Sequence, residues 1–556
     1  MKRKISLLLC LSLLLAVFFT ACGKSDDNSP EAKAGYPKRD GMEDTLIVGT
    51  HETKGEFMPA YYGTTYDGYV NQLIFDQLLA NNEKGELIPS VAKDWKVSDD
   101  KKTYTFHLRD DVKFTDGTPL TAKDVEFTYL TIADPNYDGR YITMVSDIKG
   151  YKEYHEDKNG KVKSISGIKV EDKYTISFTF NEAMVTNIYN CQMLIMPKHY
   201  YGFEKGDIPK LKTLMQKPLG SGKYIFVKYE PKQYIEFKAN PDYFGGAPKI
   251  PKLIMKFTTS ETMLQELEKG GVDIQLEVPP SPENKEIIDD TKFLSICDFP
   301  GNNYGYMGFN LRDPRLADKN VRKALVYGFD RKAFADLYYK GYADVCNQPI
   351  SEASWAYSDD VEKYEYDVDK ANKLLDEAGW KVGSDGIREK DGKKLSFVWD
   401  TYTDSKYVET LIPMLKDNWQ KIGVKVEPNL MDFNALADKV YTQRKFDMYN
   451  MSWTLTLDPD AYDLFHSDAD IPDGNNSVGF RNAENDKLIM EERKEFDPEK
   501  RKVIIKEWAD LIGDELPYMF LTQNTNWDIY SERVKNYKTS PFVDWTYIVN
   551  QLELEK

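Results

Sequence analysis

The sequence predicts an α/β protein with mixed sheets, divided among two or three domains. Stretches of strand length with alternating apolar residues, such as 103–109 and 234–239, are interleaved with helix-length stretches whose apolar residues recur every three or four positions. At 556 residues the chain exceeds what one hydrophobic core organises. No repeat or low-complexity tract interrupts this pattern.

In chain order, Lys2, Arg3 and Lys4 precede an uncharged run ending in small residues before Cys22, so residues 1–21 read as a processing signal. Residues 22–43, polar and rich in Gly and Pro, read as a flexible tether. A strand at 44–50 opens the folded part, and the spacing of Val70, Leu73, Ile74, Phe75, Leu78 and Leu79 predicts a helix over 70–79. Thr121 is placed to cap a helix through Val125, Phe127 and Leu130. Asn240-Pro241-Asp242 ends the 234–239 strand, and Asn320 precedes a helix carrying Val321, Leu325 and Phe329. Residues 371–378 form a helix with Asp369 near its start and Gly379 as its stop. Further on, Tyr402 follows a strand over 395–399, and an irregular alternation from Phe446 delivers Trp453 to a loop bearing Thr456, Asp458, Pro459 and Asp460. That strand end combines an aromatic surface with carboxylates, which suits a ligand having apolar and polar parts. From these residues alone, Trp453 as core and the loop as a plain turn is the favoured reading.

The composition and motifs exclude several functions. A formal charge of −17 argues against nucleic acid as a partner. The five histidines are scattered and the cysteines form no C-x-x-C, so no zinc site or other cofactor is expected. Gly220-Ser221-Gly222-Lys223 lacks the earlier glycine of a phosphate loop and is followed by Tyr224, and no G-x-S-x-G occurs. Asp468, Asp470 and Asp473-Gly474 miss the calcium-loop spacing and read as a solvated acidic loop. Cys191, Cys297 and Cys346 allow one disulfide at most, and a body of this size needs none. Binding rather than catalysis is what remains.

The run LIPSVAKDWKVSDDKKTYTFHLRDDVKFTDGTPLTAKDVEFTY at 87–129 resembles the extracellular solute-binding proteins of peptide-type ABC importers, the oligopeptide- and dipeptide-binding family. GSGKYIFVKYEPKQYIEFKANPDYFGG from Gly220, GFNLRDPRLADKNVRKALVYGFDRKAF from Gly308 and YDVDKANKLLDEAGW from Tyr366 resemble it in the same order. The resemblance implies a type II periplasmic-binding-protein-like fold of two α/β lobes enclosing the ligand. Lobe I would comprise 44–68, 217–305 and 523–556, with an inserted subdomain at 69–216, and lobe II 306–522. It implies closure by hinges near 303–307 and 520–525. Phe19-Thr20-Ala21-Cys22 resembles a lipoprotein box, which would make Cys22 the acylated mature N-terminus, with a lipid anchor as the only membrane attachment.

For function, the resemblance implies a monomeric, non-catalytic subunit that captures oligopeptides and delivers them to a membrane permease driven by separate ATPase subunits. It implies ligand contacts at Trp453, Thr456 and Asp458, at Gly55, Phe57 and Met58 on the opposite lobe, at Tyr304 and Asn310 near the entry into lobe II, and at Tyr402. Extended peptides can be held through main-chain hydrogen bonds with roomy pockets for side chains. One position departs from the family's enteric members, which carry an aspartate three residues after this tryptophan to grip the peptide ammonium. Thr456 stands there, and the segment resembles instead the long-oligopeptide binders of Gram-positive bacteria. Oligosaccharide, nickel-complex, haem, opine and signalling-peptide binders share the fold, and a secreted hydrolase or an adhesive surface protein are the alternatives of another class.

Overall fold

The computed structural model describes residues 36–37, 39–403, 405–472 and 474–555. The signal, Cys22 and most of the expected tether lie outside the described residues.

Among the described residues, three sheets of four or more strands organise the fold. The largest has eight strands, seven of them in the order Leu294–Pro300, Thr522–Ser531, Ile274–Val278, Thr45–Thr50, Lys252–Phe257, Tyr234–Ala239, Tyr224–Glu230, while Ala343–Val345 pairs with Thr522–Ser531 off this path. Thr45–Thr50 runs parallel to both of its neighbours, and the other pairs are antiparallel, so the sheet is mixed. A second sheet of five strands has the order Lys425–Met431, Ser396–Tyr402, Met448–Thr454, Asn303–Phe309, Tyr518–Phe520, with its first two pairs parallel and the rest antiparallel. The third, Ala92–Val97, Thr103–Leu108, Thr175–Thr179 and Ile168–Asp172, is antiparallel throughout.

Alternation along the five-stranded sheet separates two cores. Met307, Phe309, Phe397, Trp399, Met448 and Met519 point into one, whereas Tyr304, Tyr306, Tyr449, Met451, Tyr518 and Phe520 point into the other. The second face is therefore lined by tyrosines.

The chain passes between the eight- and five-stranded sheets through very short connections. Pro300 leads to Asn303 by Gly301 and Asn302, and Phe520 leads to Thr522 by Leu521 alone. Gly301 donates its N–H to the Asn524 carbonyl at 2.9 Å and accepts from Gln523 Nε2 at 2.7 Å. A Cβ at Gly301 would lie 2.6 Å from that same carbonyl, so only glycine fits beside the second connection. The first crossing thus sits just before the region expected from the sequence, and the second falls within it.

Local signals set most helix ends. Val368–Glu377 starts on Asp367, whose carboxylate accepts from the Lys370 N–H, and stops at Gly379 with φ +86°, where Trp380 N–H reaches the Leu375 carbonyl at 2.9 Å. Ala122–Ile132 starts where expected, the Asp124 carboxylate accepting from both the backbone N–H and the hydroxyl of Thr121. Lys319–Tyr327 is capped by Asp318 rather than Asn320. The helix expected over 70–79 instead runs Thr65–Ile74, capped by Thr64, and Phe75 is extended. The Ile74 carbonyl is taken by the Gly222 N–H at 2.7 Å, a tertiary contact that stops the helix inside its apolar run.

The described end of the expected tether is bound to the body. Tyr36 Oη donates to Asp273 Oδ1 at 2.8 Å, and its ring lies 5.5 Å from the guanidinium carbons of both Arg39 and Arg533. Asp273 is fully buried and also accepts from the Ile47 N–H. These partners are remote in sequence, which is why composition alone reads the segment as loose.

Candidate functional site

Trp453 sits at the end of Met448–Thr454, directly opposite Tyr304 across the antiparallel ladder. Its ring stacks nearly parallel on Tyr306 at 6.1 Å and meets Tyr441 edge-on at 6.2 Å. It is half-buried, and its indole Nε1 is itself buried with no hydrogen-bond partner among the described residues. Around it Tyr304, Tyr306, Tyr449 and Tyr518 are fully buried, and burial pushes their hydroxyl pKa values upward. Tyr306 and Tyr449 share a hydroxyl contact of 3.3 Å, and Tyr449 reaches Ser477 Oγ at 2.7 Å. A neutral aromatic wall with hydroxyls behind one half-open indole is the result.

The loop after Trp453 is tied down at both ends. Leu455 N–H donates to the Asn302 carbonyl at 2.8 Å, and Asn302 Nδ2 returns bonds to the carbonyls of Leu455 and Thr456. Thr456 is exposed, yet its hydroxyl is spent on the Asp458 carbonyl at 2.7 Å. Asp458 is buried, and its two oxygens accept from Arg501 Nη1 and Nη2 at 2.7 and 2.5 Å, a bidentate pair. Arg501 also donates to Glu492 Oε2 from Nε at 2.9 Å. Burial and two neighbouring aspartates push the Glu492 carboxyl up to about 8, against the pull of Arg501. Asp460 pairs with Arg493 at 3.2 Å, and Arg493 lies 4.4 Å over the Tyr462 ring.

Other residues expected as contacts fall into separate places. Gly55 takes a left-handed backbone, φ +81°, where an added Cβ would meet Gln216 at 2.6 Å. Phe57 and Met58 are fully buried in the first core, Phe57 against Tyr229 at 5.0 Å and Phe226 at 6.0 Å. Tyr304 is fully buried, edge-on to Phe520 at 5.5 Å, and its hydroxyl has no hydrogen-bond partner among the described residues. Asn310 lies at the far end of the same ladder from Trp453, donating from Nδ2 to the Phe446 carbonyl at 2.7 Å. Tyr402 is half-buried, edge-on to Phe433 at 5.7 Å. So the structure brings together Trp453, Tyr304, Thr456 and Asp458, and leaves Asn310 and the Gly55 to Met58 group elsewhere.

Arg501 and Glu492 were not singled out from the sequence, although a signal existed. Arg501 falls in register with Ile505, Trp508 and Ile512 on the buried side of Pro498–Glu515, and Glu492 with Asn485, Leu488 and Ile489 on that of Ala483–Lys494. A charge within an apolar stripe marks a buried partner.

The loop read as solvated and acidic is corrected at Asp470 alone, since Asp468 is exposed as expected and Asp473 lies outside the described residues. Asp470 is largely buried beneath Arg312, Arg444 and Arg481, the last at 2.6 Å, so its charge is matched by guanidinium groups. Among the described residues no group of three or more His, Cys, Asp or Glu side chains is arranged to hold a metal ion, and no helix is long and apolar enough to cross a membrane. Cys191, Cys297 and Cys346 are free thiols.

Residues 86–472 match the family model of bacterial extracellular solute-binding proteins, family 5. The chain belongs to this family. It is 31% identical to the oligopeptide-binding protein AppA of Bacillus subtilis over 97% of both chains. The structure of that AppA in complex with a nonapeptide superimposes with a TM-score of 0.74 at 29% identity, covering 92% of this chain and 99% of the other. NikZ of Campylobacter jejuni in complex with Ni(L-His) superimposes with a TM-score of 0.76 at 28% identity over the same 92% of this chain and 99% of its own. The fold of this family 5 chain is thus the two-lobed, type II periplasmic-binding-protein architecture, and its role is that of a substrate-binding subunit of an ABC importer.

Proposed function

We propose that this chain captures oligopeptides outside the membrane and delivers them to a permease, gripping them through main-chain bonds and aromatic contact rather than through their terminal charge. The observation that supports this reading is that, among the described residues of the 453–458 segment, no carboxylate is left unpaired. Thr456 is neutral and the Asp458 carboxylate is already held by Arg501, so neither offers an ammonium a free anionic partner, which suits sequence-tolerant main-chain binding. The similarity to AppA along the whole chain supports the same substrate class. The ligand would lie between lobes that turn about Gly301–Asn302 and Leu521, with lobe I, its insert and lobe II divided as the sequence suggests. Native mass spectrometry of the purified protein is expected to show co-purified peptides. Calorimetry with one peptide and its N-acetyl form is expected to give dissociation constants within about threefold of each other, since a lost charged bond would cost ~10-fold or more. Capture of Ni(L-His) with no peptide bound would overturn the reading.

Attachment rests on Cys22, which is proposed to carry the lipid for a monomeric body. Cys22→Ala is expected to leave a folded protein that moves wholly to the soluble fraction, because one tether holds it. A variant that stays with the membrane would disprove this anchor.

A further inference from the structure

Among the described residues Trp355 is the one tryptophan left exposed, at 39%, although an indole gains more from burial than most side chains. It does not stand on a loose loop. Cys346, Ile350 and Ala356, on either side of it, are buried in the tyrosine-lined core. Gln348 Nε2 closes the base of the segment on the Ser358 carbonyl at 2.7 Å. Ser351 Oγ donates to the Gly301 carbonyl at 3.1 Å and accepts from Gln523 Nε2 at 2.8 Å, and the Glu352 N–H reaches Gln523 Oε1 at 3.3 Å. The Ser354 N–H donates to the Ser351 carbonyl at 2.9 Å and the Tyr357 N–H to the Ser354 carbonyl at 3.1 Å, which fixes the backbone on both sides of the indole. The exposure of Trp355 is built into the loop.

Two contacts place Trp355 beside the Trp453 loop. The Arg501 guanidinium carbon lies 5.5 Å from the centre of the Trp355 ring, and the same guanidinium grips Asp458 and bonds Glu492. The two loops are also fastened to adjacent residues of one connection between the sheets, Ser351 to the Gly301 carbonyl and Leu455 to the Asn302 carbonyl. We propose that Trp355 is a second ligand-binding tryptophan, which with Trp453 borders a subsite for an apolar, preferably aromatic, side chain of the bound peptide. This rests on the oligopeptide reading above. Arg501 covers one side of the indole with its charge matched by Asp458, so the open remainder offers flat apolar area rather than an ionic partner. Tyr357, two residues on, adds a ring whose hydroxyl is already turned to Asp359 at 3.0 Å. A loop held in advance loses little freedom when a ring lies against it, which strengthens the contact.

The test is a peptide scan on the full chain. Calorimetry compares an alanine-based nonapeptide with versions carrying a single phenylalanine at each position in turn. In wild type, phenylalanine at one position is expected to tighten binding about tenfold over the parent peptide. In Trp355→Ala that gain is expected to shrink to about twofold, and Trp355→Phe is expected to recover most of it. The gain is a ratio of dissociation constants within one variant, so a smaller folded fraction cannot imitate its loss. A tenfold gain that survives in Trp355→Ala overturns the subsite, even if parent and phenylalanine peptides weaken together, as they would had Trp355 only braced Arg501. A flat scan in a wild type that binds the parent peptide overturns the subsite and leaves the oligopeptide reading standing. A wild type that binds no peptide of the series removes both.

Discussion

Replacing Arg501 by methionine is expected to lower the unfolding free energy by about 3–5 kcal/mol, because it removes the guanidinium that grips the buried Asp458 carboxylate and also bonds Glu492, while keeping the aliphatic stem. Arg501 and Asp458 have side chains 7% exposed and Glu492 3%, so water cannot take over the lost charge. The loss should depend on pH. Burial raises Glu492 from 4.5 to about 8, so its proton-bound form favours the folded state. That contribution is complete below about 4.5 and is lost as pH rises through 8, at no more than about 1.4 kcal/mol per pH unit for one proton. Asp528 behaves alike but is finished near 6, its carboxyl raised from 3.8 by burial. The difference between wild type and Glu492→Gln isolates the Glu492 contribution between about 4.5 and 8, because Asp528 titrates alike in both proteins. Urea titrations at pH 5 and 8 measure both effects. A loss below about 1 kcal/mol at pH 8 for Arg501→Met would mean that the two carboxylates are hydrated or repaired by another partner.

The sequence carries local information well and pairings poorly, and the Trp453 region shows both. The helix at Val368–Glu377 was readable from its apolar spacing and its stop at Gly379, whereas its cap is Asp367, two residues before the Asp369 expected near its start. The strand ending on Trp453 was readable from alternation, although it begins at Met448 and not Phe446. By contrast, Thr65–Ile74 ends early because Gly222 takes a carbonyl far along the chain. The role of Asp458 was hidden for the same reason. Asp-Pro-Asp signals a turn by itself, and only folding brings Arg501 and Glu492 beneath it. Phe57 and Met58 illustrate the converse, since apolar residues in a loop read alike whether they face a ligand or, as observed, a core.

Trp453→Ala is expected to weaken peptide binding by ~10-fold or more, corresponding to ~1.4 kcal/mol, while costing less stability than loss of a fully enclosed tryptophan. One face of the indole packs on Tyr306, but the residue is half-buried and stands where the strand runs into the loop. Trp399 supplies the comparison within the same sheet. It is fully buried, its Nε1 donates to Asn450 Oδ1 at 2.9 Å, and its face of the sheet is the one turned away from the tyrosines. Trp399→Ala should cost ~3–5 kcal/mol of folding free energy and leave the affinity of the folded fraction unchanged. Calorimetry and urea melts on both variants separate the two roles. If Trp453→Ala lost as much stability as Trp399→Ala and bound peptide normally when folded, Trp453 would be a core residue, and the ligand surface would have to lie elsewhere on the lobe.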